Sequence, residues 1–118
     1  MRKVALQNES RTLIPECFIA ESYMSRFLGL MGRKTIPQNE AICFPRCNSI
    51  HTFFMRFPID VILVGEDGKI VSVVQAMKPW RLLLPRKGVK HIIELQANRV
   101  ESLELQTGAK LICDGVWA

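Results

Sequence analysis

Apolar positions fall along this chain in short runs broken by turn residues. Val4 and Leu6, Leu13 and Ile14, and Cys17 to Ala20 read as strand segments interrupted by polar residues and by Pro15. One stretch changes period: Met24, Phe27, Leu28 and Met31 repeat at i, i+3, i+4 and i+7, which predicts a helix with one apolar stripe. Ser22 is placed to cap its start, and Gly32 followed by Arg33 and Lys34 to stop it. Gly29 within the stripe costs about 1 kcal/mol relative to alanine, which fits a strand passing close by.

Further on, Ala41 to Phe44 predicts a short strand, and Pro45 with Asn48-Ser49 a break. Ile50 to Phe57 reads as extended as far as Pro58. The β-branched run Ile59 to Val64, the turn Gly65-Glu66-Asp67-Gly68 and the run Lys69 to Met77 make a hairpin. Leu82 to Leu84 predicts a brief edge strand ahead of the basic loop Pro85 to Lys90. His91 to Ala97 is a strand with His91, Ile93 and Leu95 on one side and Ile92, Glu94 and Gln96 on the other. Asn98 to Leu103 predicts a short helical turn, and Lys110 to Trp117 a last strand. No repeat or linker divides residues 1–118, so the pattern predicts a single, mainly β domain: a small sandwich or open barrel with one packed α-helix.

Composition agrees with that picture. A chain of 118 residues, 48% hydrophobic and 23% charged, is an ordinary globular sequence. It buries roughly two-thirds of its unfolded surface, so it needs neither a structural metal nor disulfides. The opening MRKVALQNES has no apolar run after its basic residues, and runs such as Val61 to Val64 are too short to cross a membrane. That points to a cytoplasmic protein without a membrane partner. In such a chain Cys17, Cys43, Cys47 and Cys113 are expected mostly as small buried hydrophobes.

Charge adds one feature. The net charge is +5, and between Asp67 and Glu94 there is no acidic residue, while Lys69, Lys78, Arg81, Arg86, Lys87 and Lys90 all fall there. A basic face of this size attracts anions, RNA or an acidic partner, or simply keeps the protein soluble.

Most of the polar chemistry is concentrated between Cys43 and Ile62, CFPRCNSIHTFFMRFPIDVI. Four pieces are distinctive together: Arg26-x-x-Gly29-Leu30-Met31, the block Ile50-His51-Thr52-Phe53-Phe54-Met55-Arg56, the strand start Pro58-Ile59-Asp60-Val61-Ile62, and Asp67-Gly68-Lys69. In this order they resemble the domain-of-unknown-function family 192, and the similarity runs from about Ala20 to Leu111. The resemblance implies a compact, mostly β domain of jelly-roll-like architecture and implies no activity. Two departures from the family pattern stand out. Many relatives have Glu-Leu-Pro-Ala-Gly where this chain has Glu94-Leu95-Gln96-Ala97-Asn98, and Asn98 is the non-glycine residue best able to keep a left-handed turn. Relatives tend to have Gly-Asp where this chain has Gly108-Ala109.

Four chemistries compete for the central stretch. Cys43-x3-Cys47-x3-His51, with Cys17, Cys113 or His91 as a fourth ligand, has the composition of a zinc site. Residues four apart on a strand are about 13 Å from one another, however, and Pro45 argues against a helix, so no metal and no cofactor is expected. Cys47, His51 and Asp60 make a thiol triad on paper, the basis of a metal- or thiol-dependent hydrolase as an alternative reading. Packing, hydrogen bonding and backbone capping explain the same three residues more economically, and no catalytic residue is assigned. A third reading places a small-molecule or anion site at His51, Thr52, Met55, Arg56 and Asp60, with Arg26 as the remaining motif charge. On an extended stretch His51, Phe53 and Met55 share one face and Thr52, Phe54 and Arg56 the other, so convergence needs a bulge or bend; Arg56 and Asp60 could also simply pair. In the fourth, Lys78, Arg81, Arg86, Lys87 and Lys90, with Trp80 as a stacking ring, grip single-stranded RNA. The leading expectation is a non-enzymatic binding or accessory domain with its site near His51 to Asp60, and an RNA-binding accessory protein is the runner-up.

Overall fold

The computed structural model describes residues 1–22 and 30–117. Its central element is β5 (Ile59–Val64), buried at every position. An unbroken run of β-branched and aliphatic residues suits a strand covered on both faces. β5 pairs antiparallel with β6 (Ile70–Met77) on one side and with β8 (His91–Gln96) on the other. β8 continues to β3 (Glu40–Pro45), β3 pairs in parallel with β2 (Thr12–Ile19), and β2 pairs antiparallel with β1 (Arg2–Gln7). The mixed sheet therefore runs β1-β2-β3-β8-β5-β6, and a second sheet consists of β4 (Ile50–His51) against β7 (Leu82–Leu83). The protein is mainly β, as the pattern predicts.

Strand alternation sorts the core onto two faces of the large sheet. Cys17, Ala41, Cys43, Ile62, Ile93 and Leu95 point to one face, which the chain from Val100 to Trp117 covers. Ile42, Phe44, Val61, Leu63 and Ile92 point to the other, beneath Leu30, Ile36, Met55 and the small sheet. The large sheet does not close into a barrel. Instead its two borders are tied to one segment by single bridges, Gln7 to Ile112 and Lys69 to Lys110. Gly68, at φ +84, permits this: a Cβ there would lie 2.7 Å from Trp117 Nε1 and 2.8 Å from the Leu111 carbonyl oxygen.

Several expectations change. Pro15 lies within β2, where the β1–β2 register shifts between Val4 and Leu6 so that the ladder tolerates its missing N–H. Residues 110–117 form isolated bridges and turns, not a strand. Residues 50–57 are extended only over Ile50–His51 before a turn at Phe53-Phe54, closed by the Met55 N–H donating to the Thr52 carbonyl at 3.2 Å. Asn98, at φ 75, keeps the left-handed turn and leads into the short helix α1 (Arg99–Ser102). The helix expected from Met24, Phe27 and Leu28 falls outside the described residues, and so does Arg26.

Candidate functional site

The turn at Phe53-Phe54 decides what the motif block presents. Thr52 and Met55 go inward and are buried, His51 and Phe53 are half-buried, and Phe54 and Arg56 face solvent. Thr52 then fastens this loop to a second one. Its hydroxyl donates to the Lys78 carbonyl at 2.7 Å and accepts the Arg81 N–H at 2.9 Å. Its backbone N–H donates to the Arg81 carbonyl, and its carbonyl accepts the Trp80 N–H, both at 2.9 Å. Four hydrogen bonds from one residue leave the two loops little freedom to move apart. β4 and β7 continue the attachment, with Ile50 opposite Leu83 and His51 opposite Leu82.

The two stretches that compete in the sequence are thus one surface. His51 stacks on Phe53 with ring centroids 4.8 Å apart, Phe53 stacks on Trp80 at 5.9 Å, and Phe54 lies tilted against Trp80 at 4.6 Å. Rings packed among themselves bury area and gain a further increment from their quadrupoles. Even so, Phe54 remains 58% and Trp80 56% exposed. Both also have left-handed backbones, Phe54 at φ 66 and Trp80 at φ 63. For large side chains that conformation costs roughly 1–2 kcal/mol per residue, and such residues concentrate where proteins bind or react. Arg56, Lys78 and Arg81 are exposed around the rings, and Leu82 and Leu84 extend the apolar side along β7.

Other candidate residues separate. Asp60 is fully buried, with Oδ1 accepting the Ala76 N–H and Oδ2 the Val100 N–H, both at 2.9 Å. It holds the bulge that leaves Ala76 at φ 51 and the start of α1, and it neither pairs with Arg56 nor reaches His51. Cys47 Sγ donates to the Ser49 carbonyl at 3.0 Å, while His51 Nδ1 accepts the Phe53 N–H at 3.2 Å. No hydrogen bond joins Cys47 to His51, and the paper triad is not assembled. Cys43 packs on the opposite face of the sheet from Cys47, because β3 ends at Pro45 and the left-handed Arg46, at φ 53, breaks the alternation before Cys47. Among the described residues no group of three or more His, Cys, Asp or Glu could hold a metal ion. The basic residues from 78 to 90 are exposed but divided: Arg86 donates to Ser72 Oγ at 3.1 Å, and Lys90 is fixed beside Cys47 and Val64, at the far end of the small sheet from Arg81.

Titratable groups outside this surface serve the core. His91 is buried, stacks on Trp117 at 4.8 Å and accepts the Arg46 N–H through Nδ1 at 3.1 Å. Burial, and then the Arg46 charge, push its imidazole below the usual value, so it stays neutral. Burial alone pushes the Glu94 carboxyl up to about 8. The Cys17 thiol is pushed up by its hydrogen bond with Cys113 and then by burial, so it remains protonated and unreactive.

Sequence reasoning passed over Phe53, Phe54, Leu82 and Leu84. Adjacent aromatics were the available signal: alternation on a strand can bury only one of Phe53 and Phe54, so one ring had to face outward or the strand had to end.

Known proteins place the chain. The UPF0127 protein of Pyrococcus furiosus is 36% identical over 101 residues, covering 81% of this chain and 84% of that protein. The UPF0127 protein of Pyrococcus horikoshii is 38% identical over 112 residues, covering 88% and 94%. Among solved structures, a protein of unknown function from Novosphingobium aromaticivorans superposes with a TM-score of 0.79 at 20% identity, over 93% of this chain and 83% of that one. A Sinorhizobium meliloti protein carrying a provisional description as a transcription regulator superposes with a TM-score of 0.81 at 23% identity, over 96% and 93%. At these identities the superpositions establish the shared fold. The family model of DUF192, described as "Uncharacterized ACR", matches residues 4–113, and the chain belongs to that family.

Proposed function

We propose that this protein is a non-enzymatic binding domain whose ligand stacks a flat ring on the surface of His51, Phe53, Phe54 and Trp80 and sets a negative charge against Arg56, Lys78 or Arg81. The observation that carries this reading is the pair Phe54 and Trp80: two large rings, each more than half exposed and each in a left-handed backbone, packed at 4.6 Å. Fold stability alone favours glycine or asparagine at such positions, and burial for such rings. Binding accounts for both departures. Within the originally expected site, His51 and Arg56 belong to the surface, Thr52 and Met55 support it from below, and Asp60 acts elsewhere.

A nucleoside monophosphate, which joins a planar base to an anion, is the direct probe. Trp80 is exposed and Trp117 is buried, so ligand-induced quenching reports mainly on Trp80. The expected result is saturable quenching at low salt that weakens about tenfold in Phe54→Ala, since one stacking contact is worth ~1–3 kcal/mol. No saturable change at millimolar nucleotide, by fluorescence or by amide chemical shifts of residues 51–56 and 78–82, would overturn the proposal.

A further inference from the structure

The surface does not end at the rings. β4 and β7 form a two-stranded ribbon whose outer side shows His51 and Leu82, followed by exposed Leu84. Its antiparallel register carries residues 46–49 back alongside the chain that follows Leu84, and the Cys47 N–H donates to the Lys90 carbonyl at 2.9 Å. Arg46, Cys47, Asn48, Val89 and Lys90 thereby line an open hollow of about 300 Å³. Arg46, Arg86, Lys87 and Lys90 are all exposed in this region. The ribbon therefore joins two basic clusters, one at each end, with the aromatic stack at one of them. Glu66 and Asp67, at the hairpin turn near Gly88, border the second cluster.

Resting on the binding site proposed above, we infer that its ligand is single-stranded nucleic acid running along this ribbon from the aromatic stack to the hollow at Arg46 and Lys90. Two features select that class. Arg81 and Arg86 are five residues apart, a span of up to about 16 Å at roughly 3.3 Å per residue, a reach that suits a strand of several nucleotides better than a mononucleotide. His51, Phe53 and Trp80 stack in succession, with interplanar angles of 25° and 26°, so a base can extend the stack from an outer ring face. A duplex would offer no free base faces, because its bases are stacked on one another.

The test compares adenosine monophosphate with ribo- and deoxyribo-adenylate octamers over a salt series, on the wild-type chain and on the double variant Lys87→Gln/Lys90→Gln. Neither of these side chains touches the rings. An octamer is expected to bind at least about tenfold more tightly than the monophosphate. In the double variant the slope of log affinity against log salt should fall by about 1.4, at roughly 0.7 per phosphate contact, while monophosphate binding is unchanged. A preference between the two octamers tells whether a 2′-hydroxyl is read. An octamer no tighter than the monophosphate, or a double variant with the wild-type slope, overturns the extended path and leaves the ring site standing. Silence from all three probes removes both, and binding only to phosphatidylserine vesicles reassigns the surface to a membrane.

Discussion

The hydroxyl of Thr52 donates to the carbonyl of Lys78 at 2.7 Å, although 26 residues separate them. This contact, within a fully buried residue, turns two loops into one aromatic and basic surface. Its importance can be measured. Thr52→Val keeps the shape but leaves the Lys78 carbonyl and the Arg81 N–H without their side-chain partner, at a cost of about 2 kcal/mol in urea unfolding. Thr52→Ser, which restores the hydroxyl, should recover most of that loss and the nucleotide-induced quenching. Equal stability of the valine and wild-type proteins would show that the staple contributes nothing.

Backbone strain at the rings gives a second prediction. Removing the Trp80 ring eliminates its contacts in both Trp80→Ala and Trp80→Gly, but only alanine keeps a Cβ at φ 63. The glycine variant should be more stable than the alanine variant by about 1 kcal/mol, the reverse of the usual order in an ordinary loop. Paired denaturant titrations read the sign directly.

Asp60 separates stability from binding. Both of its oxygens accept backbone N–H groups inside the core, so Asp60→Asn turns an NH₂ toward one of those donors. The expected cost is about 3 kcal/mol in unfolding, with ligand affinity of the folded fraction unchanged. A variant of wild-type stability that has lost binding would return Asp60 to the ligand site.

Two buried groups give opposite pH dependences. Glu94 keeps its proton up to about 8 in the fold, whereas the unfolded chain releases it near the ordinary 4.5, so the fold binds more protons across that interval. Its contribution is complete below the ordinary carboxylate value and is lost as pH rises through about 8, with a slope of up to ~1.4 kcal/mol per pH unit. Glu94→Gln should flatten this decline in urea unfolding across the range. His91 has a lowered folded value, so its contribution is present above the ordinary imidazole range and is lost as pH falls through the lowered one. In His91→Phe the ring stacking on Trp117 is kept and that acid-side loss disappears, at about 1 kcal/mol for the acceptor taken from the Arg46 N–H.

Much of the fold was legible in the residues. The Ile59–Met77 hairpin, the two-sided strand at His91–Gln96 and the turn at Asn98 are set by neighbours within a few positions, through alternation, β-branching and turn chemistry. Lys110 to Trp117 misled because its apolar residues look like a strand. Their place is across the core face, where Leu111, Cys113 and Trp117 bury without a continuous ladder.

For the candidate site, the sequence by itself determined which residue types were present and that the chain at His51–Arg56 and at Lys78–Lys90 carried more chemistry than a core needs. It could not show that they are one surface. That juxtaposition depends on Thr52 reaching Lys78 and Arg81 and on Ile50 pairing with Leu83, contacts of long sequence separation that leave no local periodicity. The setting of Asp60 was hidden for the same reason: its partners, Ala76 and Val100, are brought to it only when β5, β6 and α1 assemble. Local propensity determined the strands, and tertiary packing alone decided which polar and aromatic groups meet.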